Sequence, residues 1–252
     1  MADTPVMRRI HHAGIVVKHL RDAYRFYRDT LGLPLVREAE IADQGVRAAL
    51  LAAGETEIEL LEPLDATNGV GRFLAKRGEG LHHLCFETDI DRCLAGLKDR
   101  RVELLDSTPR PGLAGRIAFL HPRACAGVLV ELATGDAPGA PASSPLDLRR
   151  LVIGARESRK TAEVFQRLFA LPEVAIDGGS RTMLGVGRGA LLIVPAEEVG
   201  GIEGMAALSL VAEDLADLMA RCDRANVKYL HGTGEVTIEP AVGHGVRLHI
   251  SR

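Results

Sequence analysis

The sequence predicts an α+β protein made of paired βαβββ modules, four modules in two domains. Three observations carry this reading. His12 and Glu59 are 47 residues apart, and His83 and Glu131 are 48 apart, so one His and one Glu recur with a period near 71. The text around them also repeats, with His11-His12-Ala13-Gly14-Ile15 against His82-His83-Leu84-Cys85-Phe86. Finally, the stretch GDAPGAPASSP at 135–145 is rich in Pro, Gly, Ala and Ser, has no hydrophobic period, and divides the chain near its middle.

The elements of the first module follow in order. Arg9–Val17 is short, apolar and β-rich, which predicts a strand. Leu20, Ala23, Phe26 and Leu31, with Tyr27 beside Phe26, have the spacing of one helix face. Gly32-Leu33-Pro34 stops that helix. Three strand-like runs then follow at Pro34–Glu38, Val46–Ala52 and Thr56–Glu62. The second module predicts a strand at Gly80–Glu87 and a helix over Ile90–Lys98. Its three further strands fall near Val102–Leu105, Arg116–His121 and Gly127–Leu132.

The second half resumes the plan. Leu148–Pro172 lies over Ile10–Pro34 without a gap, with Phe165 on Tyr27 and Leu171-Pro172 on Leu33-Pro34. A fourth copy starts near Gly204, with a helix at Leu215–Cys222 and a last strand at Gly245–Ile250. One module alone buries too little surface to fold well, which is why modules come in twos. The domain reading is therefore 1–134, a linker at 135–147, and 148–252.

Composition excludes several functions. The chain has 252 residues, 46% apolar and 26% charged, with a net charge of −3 and no basic block. Neither nucleic acid nor an anionic membrane is expected as a partner. Its apolar runs are far too short to span a bilayer, and Met1–Arg9 lacks a signal-peptide apolar core. Cys85, Cys93, Cys125 and Cys222 form no C-x-x-C pair, so reduced thiols and a cytoplasmic location are expected.

The repeat carries the chemistry. Two strand residues from each of two modules can converge, giving two imidazoles and two carboxylates from His12, Glu59, His83 and Glu131. That donor set suits a divalent ion of borderline or harder character (Co, Mn, Ni, Fe, Zn or Mg), with no thiolate to select a softer one. Four protein ligands in an octahedral shell leave two adjacent positions, which suit a substrate that chelates through two oxygens. By strand alternation His11 and His82 should face away from the ligands, as supporting or surface residues, and Glu57 and Glu62 should be solvated. The second half has lost the set: Arg150, Leu191, Ala207 and His249 stand at the four positions.

These segments identify a resemblance. Ile10–Val17, Gln44-Gly45-Val46, Thr56–Leu64, Lys76–His83, Pro109–Gly112, Phe119–Pro122 and Gly127–Leu132 are similar to the methylmalonyl-CoA epimerases of the vicinal oxygen chelate superfamily. The resemblance covers about residues 8–134; the second half resembles the superfamily fold only. It implies a metal at His12, Glu59, His83 and Glu131, with cobalt first and Mn, Ni, Zn or Mg as alternatives. It also implies an acyl-CoA substrate, epimerised by removal and return of its α-proton through a metal-stabilised enediolate. Some relatives carry a Glu four residues after the Gln of the QGV segment, where this chain has Ala48. The acid/base pair then falls to Glu131 and Glu59, with Gln44 and His82 behind them. Gln44, Lys76, Arg77 and Arg110 are the expected substrate contacts. The rival readings are a glyoxalase-like lyase or isomerase and a non-catalytic binding protein. The degenerate half is expected to play a structural role or to hold a second, metal-free pocket, and the chain to be a homodimer or an intrachain pseudo-dimer.

Overall fold

The computed structural model describes residues 6–135, 143–176 and 179–252. The linker reading at 135–147 falls largely on 136–142, outside the described residues. The first half runs β1 (Arg9–Val16), α1 (Leu20–Tyr24), a π-helical segment (Arg25–Thr30), β2 (Leu35–Ile41), β3 (Val46–Ala53), β4 (Thr56–Pro63) and α2 (Gly69–Arg77). It continues with β5 (Gly80–Glu87), α3 (Ile90–Asp99), β6 (Arg110–Gly112), β7 (Gly115–Leu120) and β8 (Val130–Ala133). The second half repeats this with β9 (Leu146–Ala155), α4 (Ser158–Phe169), β10 (Glu173–Val174), β11 (Thr182–Val186) and β12 (Gly189–Pro195). It ends with β13 (Gly204–Ala212), α5 (Leu215–Arg224), β14 (Leu230–Gly232), β15 (Glu235–Ile238) and β16 (Arg247–Ser251).

Each half forms one eight-stranded sheet. The orders are β2-β3-β4-β1-β5-β8-β7-β6 and β10-β11-β12-β9-β13-β16-β15-β14. In every module the fourth strand returns beside the first, and the first strands of two modules adjoin at the sheet centre. The β5–β8, β9–β12 and β13–β16 pairs are parallel, and a parallel return needs a crossover, which the helix after each first strand begins. The expected α+β architecture of four βαβββ modules is thus the observed one.

Local differences have local causes. The helix expected over Leu20–Leu31 tightens to a short α-turn and then opens into a π-segment, in which Leu31 N–H donates to the Phe26 carbonyl at 2.9 Å. The strand expected at Val102–Leu105 does not form; only Leu104 bridges to Leu120. There the Asp106 carboxylate accepts from Phe119 N–H at 2.9 Å, so a side chain takes a ladder hydrogen bond. Helix α2 has no strong apolar stripe, and Gly69 and Gly71 weaken its helical pattern. Its ends nevertheless carry signals: Asn68 accepts from Gly71 N–H at 2.7 Å, and Gly78 ends it at φ 77°.

The described residues divide into two compact units, each joining a module of one half to a module of the other. In the unit of Met1–His12, His83–Pro138 and Arg150–Ala206, the rings of Phe86 and Phe169 pack at 5.2 Å. There Arg100 donates to the carbonyls of Arg167 and Leu168 at 2.6 and 3.0 Å, closing the end of α4. In the unit of Ala13–His82, Gly139–Arg149 and Ala207–Arg252, the fully buried Tyr27 donates its hydroxyl to the Gly243 carbonyl at 2.9 Å. Gly245 crosses the backbone at Glu79 so closely that a Cβ would lie 1.8 Å from the Glu79 carbonyl oxygen. The four cysteines are buried and form no disulfide. Burial pushes the Cys93 and Cys125 thiols up to about 12, so both stay protonated at neutral pH.

Gly245 offers a test. It combines a φ of +78° with the close approach, whereas Gly78 has a φ of +77° and nothing near its missing Cβ. Gly245→Ala should cost about 2–6 kcal/mol, from strain and overpacking together, and Gly78→Ala only about 1 kcal/mol. Urea denaturation of the two variants measures the difference; equal midpoints would contradict the close approach.

Candidate metal centre

The central strands bring the repeated residues into one buried cluster. His12 lies on β1, Glu59 on β4, His83 on β5 and Glu131 on β8. Register explains the delivery: Leu50 faces Glu59 across β3–β4, and Glu131 is opposite Cys85 on one side and Phe119 on the other. All four side chains are at most 5% exposed. One donor atom from each lies within 4.8 Å of the others.

The distances among three of them are short. His12 Nε2 is 2.9 Å from His83 Nε2 and 3.2 Å from Glu131 Oε2. His83 Nε2 is 2.9 Å from the same oxygen. Donors about 2.1 Å from a common ion and at right angles to one another would be about 3 Å apart. The spacing therefore fits a divalent ion. So does the charge balance: two buried carboxylates need compensation, and two ring nitrogens facing each other need a proton or a cation between them. Burial by itself works against a charged Glu131, but the charge of His12 and the hydrogen bonds from His12 and His83 outweigh it and hold the carboxyl well below the usual carboxylate range.

The neighbouring residues correct some expectations. Of the two places expected for His11, supporting or surface, it takes the supporting one, buried because β1 is covered on both faces. Its Nδ1 lies 3.0 Å from His12 Nδ1. His82 is half-buried and packs edge-on against Phe73 at 5.0 Å. Glu57 was expected to be solvated but is 9% exposed, since β4 is covered on both faces through Leu61. Glu62 is half-buried and accepts from Leu20 N–H at 2.8 Å, holding the start of α1 where His19 supplies no cap.

The expected substrate contacts scatter. Gln44 sits in the turn before β3, where its carbonyl accepts from Asn68 at 3.0 Å. Lys76 and Arg77 are exposed in the last turn of α2, with the Arg77 guanidinium 5.7 Å from the Phe73 ring. Arg110 leads back to the cluster. Its guanidinium lies 5.7 Å from the Phe119 ring, and that ring meets His83 edge-on at 5.4 Å. Phe119 was not expected as a site residue, although its place opposite Glu131 in the β7–β8 hairpin marks it. Ala48 is fully buried on β3, opposite Leu61.

In the second half Arg150 is exposed and Leu191 and Ala207 are buried. His249 lies 3.3 Å from the Thr237 hydroxyl, and burial with the charge of Arg247 lowers its pKa. Among the described residues, the groups able to hold a metal are His12/Glu59/His83/Glu131 and His11/His12/Cys85, both in the first half. Also among the described residues, no helix is long and apolar enough to cross a membrane.

Titration of the metal-free protein with Co(II) or Zn(II) should show one equivalent bound per chain and a raised melting temperature. His83→Ala should abolish both effects while the chain stays folded; unchanged binding would remove the cluster as the metal centre.

Residues 11–119 match the Glyoxalase/Bleomycin resistance protein/Dioxygenase superfamily. The chain is 43% identical over 128 residues to the uncharacterised protein YqjC of Bacillus subtilis, covering 50% of this chain and 91% of that one. It is 36% identical over 127 residues to mitochondrial methylmalonyl-CoA epimerase of Mus musculus, covering 49% of this chain and 71% of that one. A solved methylmalonyl-CoA epimerase, in complex with methylmalonyl-CoA and NH4+, matches with a TM-score of 0.50 and 41% identity over 54% of this chain and 99% of that one. For the fold of the whole chain, a variant of 4-hydroxymandelate synthase from Streptomyces coelicolor matches with a TM-score of 0.73 and 16% identity, covering 99% of this chain and 94% of that one. The chain belongs to the methylmalonyl-CoA epimerase family, isomerases of the glyoxalase/bleomycin resistance/dioxygenase superfamily.

Proposed function

We propose that the first half, residues 1–134, epimerises methylmalonyl-CoA or a close 2-substituted malonyl-CoA. The observation that carries this is the buried four-residue cluster in a chain 36% identical to a methylmalonyl-CoA epimerase. His12, Glu59, His83 and Glu131 would hold a divalent ion, cobalt first and Mn, Ni, Zn or Mg as alternatives. When bound, such an ion supplies Lewis-acid stabilisation of the charge that develops on the thioester oxygen.

The chain's own residues move the proton. One carboxylate accepts the α-proton as the C–H bond breaks, and the electron pair delocalises into the thioester carbonyl. The carboxyl on the opposite side returns a proton to the other face of the α-carbon, inverting it. With Ala48 at the position where some relatives carry a Glu, Glu131 and Glu59 are the pair we assign, since the repeat relates them across the cluster. Glu131 stays ionised at neutral pH, as an acceptor must. The Phe119 ring packs edge-on against His83 on one side of the cluster. Lys76, Arg77 and Arg110 offer cations to the phosphates of the CoA moiety, and Gln44 a further polar contact.

The second half, 148–252, lacks the ligands, and we assign it a structural role as an intrachain pseudo-dimer partner. Its modules complete both compact units of the fold. A reduced cytoplasmic location fits the four buried cysteines of the chain, which form no disulfide.

Deuterium wash-in tests the chemistry. Metal-loaded protein in deuterium oxide should exchange the α-proton of methylmalonyl-CoA and interconvert its epimers. Glu131→Gln should slow this by about 10²–10⁴-fold with metal still bound. No exchange by the metal-loaded wild-type protein would reject the epimerase reading, and unchanged exchange by Glu131→Gln would remove that residue as a proton carrier.

A further inference from the structure

We propose that the cavity where helices α3 and α4 end binds a phosphate-bearing small molecule. Its volume is about 380 Å³, and none of the four cluster residues lines it. The guanidiniums of Arg100, Arg101, Arg123 and Arg167 line it with the carboxylate of Glu103, all within one compact unit. In a chain of net charge −3 this is a local concentration of cations. Structural roles account for part of it. Arg100 donates to the carbonyls of Gly96, Arg167 and Leu168 at 3.0, 2.6 and 3.0 Å, so its cation is held in place. Arg123 pairs with Glu103 at 2.7 Å. Among the described residues, neither Arg101 nor Arg167 meets a carboxylate. The C-termini of α3 and α4 add about half a negative charge each, which with Glu103 still leaves the cavity cationic.

Arg101 carries the inference. Its N–H donates to the Lys98 carbonyl at 2.8 Å, the Val102 N–H donates to the Leu97 carbonyl at 3.0 Å, and its φ is +55°. That left-handed helix ending ordinarily takes Gly or Asn. Helix α5 ends in the same geometry on Asn226, at φ +52°. The repeat places Ala225, Ala241 and Asp29 where Arg100, Arg123 and Arg167 stand. The fold therefore closes these helix ends without cations, and the four arginines answer to something else. A guanidinium fork matches the oxygens of a phosphate group two at a time. The volume falls in the range of small-molecule sites, about 300–1,000 Å³, so the phosphate is one group of a larger ligand. That ligand is either the CoA moiety of the substrate or a separate phosphorylated molecule.

Calorimetric titration of the full chain with inorganic pyrophosphate, at low ionic strength and without added metal, tests the site. Wild type should bind saturably, with a dissociation constant of about 1 mM or tighter. Arg101→Asn, the residue α5 uses in this geometry, and Arg167→Gln should each weaken binding about 3–10-fold at an unchanged melting temperature. Lys228→Gln removes an exposed cation from the other unit and should bind like wild type. No saturable binding by wild type would overturn the proposal. So would folded Arg101→Asn and Arg167→Gln variants with wild-type affinity, or an equal loss in Lys228→Gln. Kinetics with methylmalonyl-CoA then separate the two sources. A raised KM at constant kcat in Arg101→Asn assigns the phosphate to the substrate's CoA, and an unchanged KM assigns it to a separate ligand. Absent epimerase activity would reject the proposed function, and the pyrophosphate titration would still decide this site.

Discussion

Burying two imidazoles and two carboxylates against one another is the constraint on which the first half of this structure depends. Ionised carboxylates removed from water cost several kcal/mol each unless they are paired. For Glu131 the cluster meets that cost with two imidazole nitrogens at 2.9 and 3.2 Å, a spacing that also suits a divalent ion. Each module of the first half contributes one residue on its first strand and one on its fourth. Because the fourth strand returns beside the first in every module, those residues are brought together by topology rather than by loop conformation. Strands on which both faces are covered then keep the cluster dry, which strengthens every charge interaction within it.

The same topology explains why a duplicated chain can lose the site and keep the fold. In the second half the four positions hold Arg150, Leu191, Ala207 and His249, yet the strand order is unchanged. Leu191 and Ala207 turn the ligand positions into ordinary core. The modules of that half still pack against those of the first, through Phe169 on Phe86 and through Gly243 and Gly245 on Tyr27 and Glu79. Selection on packing and selection on chemistry act on different residues of one scaffold.

Much of this was legible in the sequence because the signal was a repeat. The matched spacings of His12/Glu59 and His83/Glu131 found the cluster, and the apolar runs found the four modules. Four features escaped. Helix α2 was hidden by Gly69 and Gly71, although Asn68 and Gly78 marked its ends. The missing strand at Val102–Leu105 depends on the Asp106 carboxylate bonding Phe119 N–H, a side-chain choice that propensity does not encode. The burial of Glu57 defeats the simple alternation rule, which holds for a sheet with one wet face and fails where both are covered. Phe119 was missed for a related reason, since its role comes from its cross-strand neighbour rather than from its own position in a motif.

Anomalous diffraction at the cobalt edge, from crystals grown with Co(II) and a malonyl-CoA analogue that cannot epimerise, bears most directly on the central claim. The account predicts one strong peak bounded by His12, Glu59, His83 and Glu131, with the analogue's two oxygens on the open side. A peak at His11 and Cys85 instead, or an analogue bound away from the four residues, would contradict it.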